Sequence, residues 1–277
     1  MSAQHASRTA LGTAYLRAAH QLLDAPPRIL EDPLAVRLLG PAAVQRINAT
    51  VQSYQTPERR ALRAHVVLRS RFAEDRLAAA VHRGVTQYII LGAGFDTFAL
   101  RQPVWAQHLR ILEVDQEGTQ STKRAQLTAA GLVLPENADF ATIDLEHESL
   151  PDGLLRYQVS LGEPTFFSWL GVTMYLNEEA IDAVLRSVAA FPVGSEIVLT
   201  FAPPPGDSPS PFDRRSAQLG EPWVSYFTPD ALEVKLRDAG FPTVEFLSPK
   251  EAEARYFRHR PHDLPVPTRT NIVCAVL

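Results

Sequence analysis

An α/β fold built on a largely parallel sheet is predicted by three features of the sequence. Residues 1–84 carry their apolar positions at helical spacing. From residue 85 onward, short apolar runs rich in β-branched residues alternate with helical stretches. That alternation implies strands paired in parallel, with helices on both faces of the sheet. The first of the apolar runs, in "QYIILGAGFDTFALR" (Gln87–Arg101), ends in a glycine turn and leads into a helical segment. In open α/β sheets, ligands sit beyond the C-terminal ends of the strands, where strand order reverses.

The elements follow in order. "RTALGTAYLRAAHQLL" has helical periodicity and stops at "DAPPRI", because two prolines cannot continue a helix. "EDPLAVRLLG" reads as a short helix with Pro33 near its start and Gly40 just past its end. "PERRALRAHVVLRSRFAEDRLAAAVHRG" is a long helix closed by Gly84. "TQYIIL", "LRILEVD", "ADFATID", "EPTFFSWL", "SEIVLTFA", "TVEFLS" and "NIVCAVL" are the seven predicted strands. Between them fall the helices "EGTQSTKRAQLTAAG", ending at Gly131, "NEEAIDAVLRSVAAF", and "TPDALEVKLRDAG", with Thr228 as its N-cap. The expected organisation is a helical cap over 1–84 and an α/β core over 85–277. "PPPGDSPSPFDRRSAQLGEPW" interrupts the core. A proline-rich segment this long is expected to serve as a lid or substrate wall over 203–227.

Bulk properties bound the function. The chain has 277 residues and a formal net charge of -4, which points away from nucleic acid and anionic membranes. The one cysteine, Cys274, lies in an apolar strand, so neither an internal disulfide nor a multi-thiolate zinc site is available. "MSAQHASRTALGTAYLRAAH" lacks the apolar core of a signal peptide, and no stretch approaches a membrane span. A cytoplasmic protein acting on a small molecule is expected.

Gly92 and Gly94 allow backbone angles and close ligand approach that side chains would block. The second strand ends at Asp115, whose carboxylate can accept hydrogen bonds from both hydroxyls of a ribose. The third ends in "IDLE", where Asp144 and the backbone of Leu145 would flank an adenine. A dinucleotide fingerprint would place a third glycine where this chain has Thr97. Asp96 adds a negative charge where two phosphates would meet a helix N-terminus. An adenosine bearing a cationic sulfur, S-adenosylmethionine, fits better than NAD.

The chain resembles the leucine carboxyl methyltransferase superfamily, in particular its bacterial branch of small-molecule and polyketide O-methyltransferases. The matching segments are "RTALGTAYLRAAH…DPLA", "LRSRFAED", "LGAGFDTFALR", "EVDQ", "IDL" and "SWLGVTMYL", in order over most of the chain. The resemblance implies a class I methyltransferase fold with the last strand antiparallel. It implies that Arg69 pairs with the methionyl carboxylate, with Arg71 as the alternative. It implies that Gly92 passes close to the methionine part, Asp115 holds the ribose, Asp144 and Leu145 flank adenine, and Tyr175 lines the transfer site. One position departs from the pattern: Leu170 stands where relatives carry the acidic residue expected to meet the cofactor ammonium.

Methyl transfer to a carboxylate, already ionised near neutrality, needs no general base, whereas a phenol needs one. His65 lies four positions before Arg69 on the same helix face and is the candidate base. His259 and His262 have a spacing open to metal binding, but Arg260 and Pro261 between them mark a surface loop, and no metal site is expected. Trp169, Phe166 and Phe167 read as core of the fourth strand. Two rival functions are an NAD-dependent oxidoreductase and a non-catalytic relative that binds the nucleoside.

Overall fold

A computed structural model describes residues 6–206 and 210–277 of the chain. Four helices precede the sheet: α1 (Arg8–Leu23), α2 (Pro33–Ala49), α3 (Val51–Tyr54) and α4 (Pro57–His82). The core then runs β1 (Gln87–Leu91), β2 (Arg110–Asp115), α5 (Glu117–Ala130), β3 (Ala138–Thr142), α6 (Leu150–Arg156), β4 (Thr165–Trp169), α7 (Glu178–Ala189) and β5 (Glu196–Thr200). It closes with α8 (Pro211–Gln218), α9 (Pro229–Ala239), β6 (Thr243–Phe246), α10 (Pro249–Ala252) and β7 (Ile272–Val276). The sheet order is β3-β2-β1-β4-β5-β7-β6, and β7 runs antiparallel to both neighbours. Strand order therefore reverses between β1 and β4, directly above the glycine turn.

The central strands β1, β4 and β5 are buried at every position and mostly apolar because both faces are covered. Ile89, Leu112, Phe167, Trp169 and Ile197 pack with Leu154, Ile181, Leu185 and Leu236 from α6, α7 and α9. Alternate positions (Tyr88, Ile90, Ile111, Phe166, Val198 and Cys274) face the other way, onto Val67, Leu68, Phe72 and Leu77 of α4. The long helix of the N-terminal region thus forms one face of the sheet's core. The other three helices rest on it through a smaller cluster with Leu16, Ala35, Ile47, Tyr54 and Val66. No described helix is long and apolar enough to cross a membrane.

Local signals act as read at several ends. Thr228 accepts from the Ala231 N–H at 3.2 Å. Gly131 and Gly84 take positive φ, 60° and 102°, past their helices. Elsewhere the reading needs correction. Gly40, at φ 78°, breaks α2 as expected, but the chain resumes as helix from Pro41, whose ring suits a first helical position, and runs to Ala49. The segment after the glycine turn holds two 3₁₀ turns, Phe98–Leu100 and Val104–Ala106, in place of an α-helix. Phe98 and Ala99 are buried beneath α4, which occupies the space a crossover helix would take. The proline-rich segment contains α8, and its residues 207–209 lie outside the described residues.

Candidate active site

The strand ends and the N-terminal helices enclose a cavity of about 1250 Å³. Its floor is the glycine turn. Gly92 has φ 65°, and a Cβ there would lie 2.3 Å from Val172 Cγ2, so the turn admits no side chain. Gly94 donates its N–H to Asp115 Oδ2 at 2.6 Å, and Gln116 N–H donates to Oδ1 at 2.7 Å. These two bonds fix the carboxylate at the tip of β2. Burial pushes its pKa up, and the two N–H donors oppose that. Each carboxylate oxygen keeps a lone pair for a further donor.

Asp144 and Leu145 line the same cavity beyond β3. Asp144 Oδ1 accepts from Glu146 N–H at 3.1 Å, forming a turn, and the Leu145 N–H has no partner among the described residues. Asp144 also meets His147 Nδ1 at 3.1 Å. With Glu146 these groups lie within 4.8 Å of one another, a cluster explained by the turn itself.

Arg69 and Arg71 part company on α4. Arg71 is exposed and donates to Asp75 at 2.8 Å. Arg69 lines the cavity and has no hydrogen-bond or ion-pair partner among the described residues. Its guanidinium lies against Gly171, where a Cβ would approach Nη1 to 2.5 Å. Gly171 sits at φ 77°, just past β4. Burial lowers the Arg69 pKa to about 10, so the group remains cationic at neutral pH. Leu170, the preceding residue, is half-buried against the α4-side core and also lines the cavity.

Asp96 lies at the cavity wall. Its Oδ1 accepts from Phe98 N–H at 2.7 Å, and Oδ2 lies 4.0 Å from Arg17 Nη1. The expected repulsion of a diphosphate at a helix N-terminus does not apply, because a 3₁₀ turn of three residues replaces that helix. Thr97 has a different task from the one its position suggested: its hydroxyl donates to buried Asp32 at 2.7 Å. Asp32 also pairs with Arg17 at 3.2 Å and Arg101 at 3.4 Å. This network locks the "DPLA" corner to the glycine turn.

Tyr175 and His65 line the remaining wall. The Tyr175 hydroxyl accepts from Ser216 Oγ at 3.3 Å. His65 has no hydrogen-bond partner among the described residues. Burial, and then the nearby Arg69 charge, push its imidazole down to about 3. Ser216 belongs to α8 in the proline-rich segment, which is tied down further along. There Glu221 accepts from the Arg8 N–H at 2.7 Å, the Thr9 N–H at 3.2 Å and Ser7 Oγ at 3.0 Å. Its carboxylate thus meets the unpaired N–H groups of the first turn of α1. His259 and His262 are exposed and do not line the cavity.

Comparison with known proteins settles what this geometry belongs to. The leucine carboxyl methyltransferase family profile matches residues 10–189. The chain belongs to the leucine carboxyl methyltransferase family. With that family it joins the S-adenosylmethionine-dependent methyltransferases, which sets aside the NAD-dependent reading. A Bacillus subtilis protein, YktD, provisionally named an S-adenosyl-L-methionine-dependent methyltransferase, is 29% identical over 95% of each chain. Among solved structures, a Thermobifida fusca protein described provisionally as a methyltransferase aligns over 99% of this chain and 95% of its own. The TM-score is 0.57 and the identity 18%. A Streptomyces avermitilis protein aligns over 94% of this chain and 95% of its own, with a TM-score of 0.54 and 17% identity. Both share the fold.

Sequence reasoning missed Gly171, Asp96 as a wall residue, the Asp32 network and the Glu221 clamp. Asp32, Asp96 and Gly171 lie inside the family-like segments "DPLA", "LGAGFDTFALR" and "SWLGVTMYL". Glu221 had no signal beyond residue type.

Proposed function

We propose that the protein methylates a carboxylate oxygen of a small organic acid, with S-adenosylmethionine held at the sheet rim. Arg69 takes the methionyl carboxylate, since it is a half-buried cation lining the cavity with no partner among the described residues. The cradle at Gly92 receives the methionine part, and Asp115 accepts from the ribose hydroxyls. Asp144 and the free N–H of Leu145 flank the adenine. Asp96 faces the cofactor ammonium, a role that relatives give to the acidic residue replaced here by Leu170. The bound cofactor supplies an electrophilic methyl group on a sulfonium that leaves as a neutral thioether.

The choice of a carboxylate acceptor rests on His65. The imidazole has no carboxylate to orient or charge-balance it, so no acid–base dyad stands at the transfer site. A phenol would have to lose its proton there, whereas a carboxylate arrives ionised. His65 and the Tyr175 hydroxyl then act as positioning donors that hold the acceptor in line. α1–α4 and residues 203–206 and 210–227 enclose the acceptor and exclude water.

Incubation with isotopically labelled S-adenosylmethionine and a panel of carboxylic acids and phenols, read by mass spectrometry, tests this. Labelled methyl esters are expected. Labelled aryl ethers without esters would overturn it.

A further inference from the structure

We infer that the acceptor carries a second anionic group, remote from the methylated oxygen, and that Arg59, Arg46 and Tyr54 recognise it. The inference rests on the carboxylate-methylation reading above and names its substrate class. α4 serves as a ruler. Arg59, Leu62, His65, Val66 and Arg69 all line the cavity, at spacings that put them on one helix face. Arg59 precedes Arg69 by ten positions, about 15 Å along an α-helix. One end of the stripe faces the glycine turn and the other faces α2 and α3.

At that far end the cavity gathers Arg46, Tyr15, Tyr54 and Arg59. The Arg46 guanidinium stacks over the Tyr15 ring, 5.5 Å from its centroid. Neither Arg46 nor Arg59 has an ion-pair partner among the described residues. Tyr54 is 8% exposed, and its hydroxyl has no partner among the described residues. Its backbone is pinned, because Arg63 donates to the Tyr54 carbonyl at 2.8 Å while holding Asp24 with its other nitrogens at 2.7 and 2.8 Å. Glu58 also lines this end; it is exposed on the first turn of α4, as Arg46 is on α2, and it forms no ion pair with either arginine. Two guanidinium forks without ion-pair partners and the accessible hydroxyl of a largely buried Tyr54 match a carboxylate or phosphate, and Arg favours such anions by bidentate pairing.

Calorimetry tests this on the intact protein saturated with S-adenosylhomocysteine. The probes are straight-chain carboxylic acids of equal length, ending in a methyl group, a second carboxylate or a phosphate. The doubly anionic probes are expected to bind about tenfold or more tightly than the methyl-ended acid, the effect of one added charged hydrogen-bond pair. Arg59→Ala and Arg46→Ala should remove that preference while S-adenosylhomocysteine affinity stays unchanged, and Arg59→Lys should keep part of it. The carboxylate and phosphate arms show which anion fits. Equal affinity for all three probes, no binding of the doubly anionic ones, or a preference that survives both alanine variants overturns the inference. Because the readout is binding, a failure to form methyl esters would count against the proposed reaction and not against this subsite.

Discussion

The two ends of the cavity are built from different materials. At the sheet rim the wall is backbone: the turns at Gly92, Gly94 and Gly171 and the Leu145 N–H, with Asp115 fixed by two main-chain donors. At the helical end the wall is long side chains, Arg46, Arg59, Tyr15 and Tyr54, and no described carboxylate answers the two cations. Backbone turns at strand tips follow from the fold, so the rim suits the single nucleoside proposed above. Side chains on helix surfaces change without altering the fold, so acceptor choice can vary at that end.

The largest expected effect breaks the rim. Asp115→Ala removes the proposed ribose acceptor and the tether on Gly94. Two hydrogen bonds to a charged group, at about 1.5–3 kcal/mol each, correspond to a loss of about 100-fold or more in S-adenosylmethionine affinity. Isothermal titration should show this with the fold intact by circular dichroism. An affinity within a few-fold of the parent would remove Asp115 from the site.

Gly171→Ala comes next and separates the methionyl end from the adenosine end. The new methyl group would meet the Arg69 guanidinium, at a residue whose φ of 77° already disfavours a side chain. A left-handed conformation costs a non-glycine residue about 1–2 kcal/mol, so the melting temperature should fall. Displacing Arg69 should weaken S-adenosylmethionine about tenfold. Adenosine, which lacks the carboxylate, should bind both proteins alike. Equal losses for both ligands would mean that the whole rim had moved.

Asp96→Asn probes the substitution at Leu170. The amide keeps an acceptor for Phe98 N–H but loses the charge proposed to face the ammonium, and affinity should fall about tenfold. Adding Leu170→Glu should restore it. If the double variant binds no better than Asp96→Asn alone, position 170 does not reach the ammonium.

Much of the fold was legible because each strand is a short apolar run punctuated by glycine or a polar cap, and these signals are local. The rim was legible for the same reason: "ILGAGFD", "EVD" and "IDL" are each contiguous. What escaped was long-range. Nothing in the sequence around Thr97 shows that its hydroxyl serves Asp32, 65 positions away. Nor does "LGEPW" show that Glu221 caps a helix 213 positions earlier. The helix expected after β1 was displaced by α4, whose burial against the sheet its weakly patterned sequence does not announce. Arg69 was expected and Arg71 was its alternative, and the spacing between them did not decide; the packing of Arg69 against Gly171 and the exposure of Arg71 separate the two.

The smallest expected effect belongs to His65, on the boundary between the two ends. Its folded-state pKa of about 3 lies below the ordinary 6.5, so as pH falls the unfolded chain takes up the proton first. The neutral, half-buried imidazole therefore contributes stability that is complete above about pH 6.5 and is lost as pH falls toward 3. One proton corresponds to a slope of about 1.4 kcal/mol per pH unit. Urea unfolding of the parent and of His65→Leu, at intervals below neutrality, should give a shallower acid slope in the variant by that amount. Ester formation by the parent should stay flat with pH near neutrality, since neither His65 nor a carboxylate acceptor changes charge there. A rise in rate with pH would show that a base is deprotonating the acceptor, and identical acid slopes would show that the imidazole is already protonated in the folded protein.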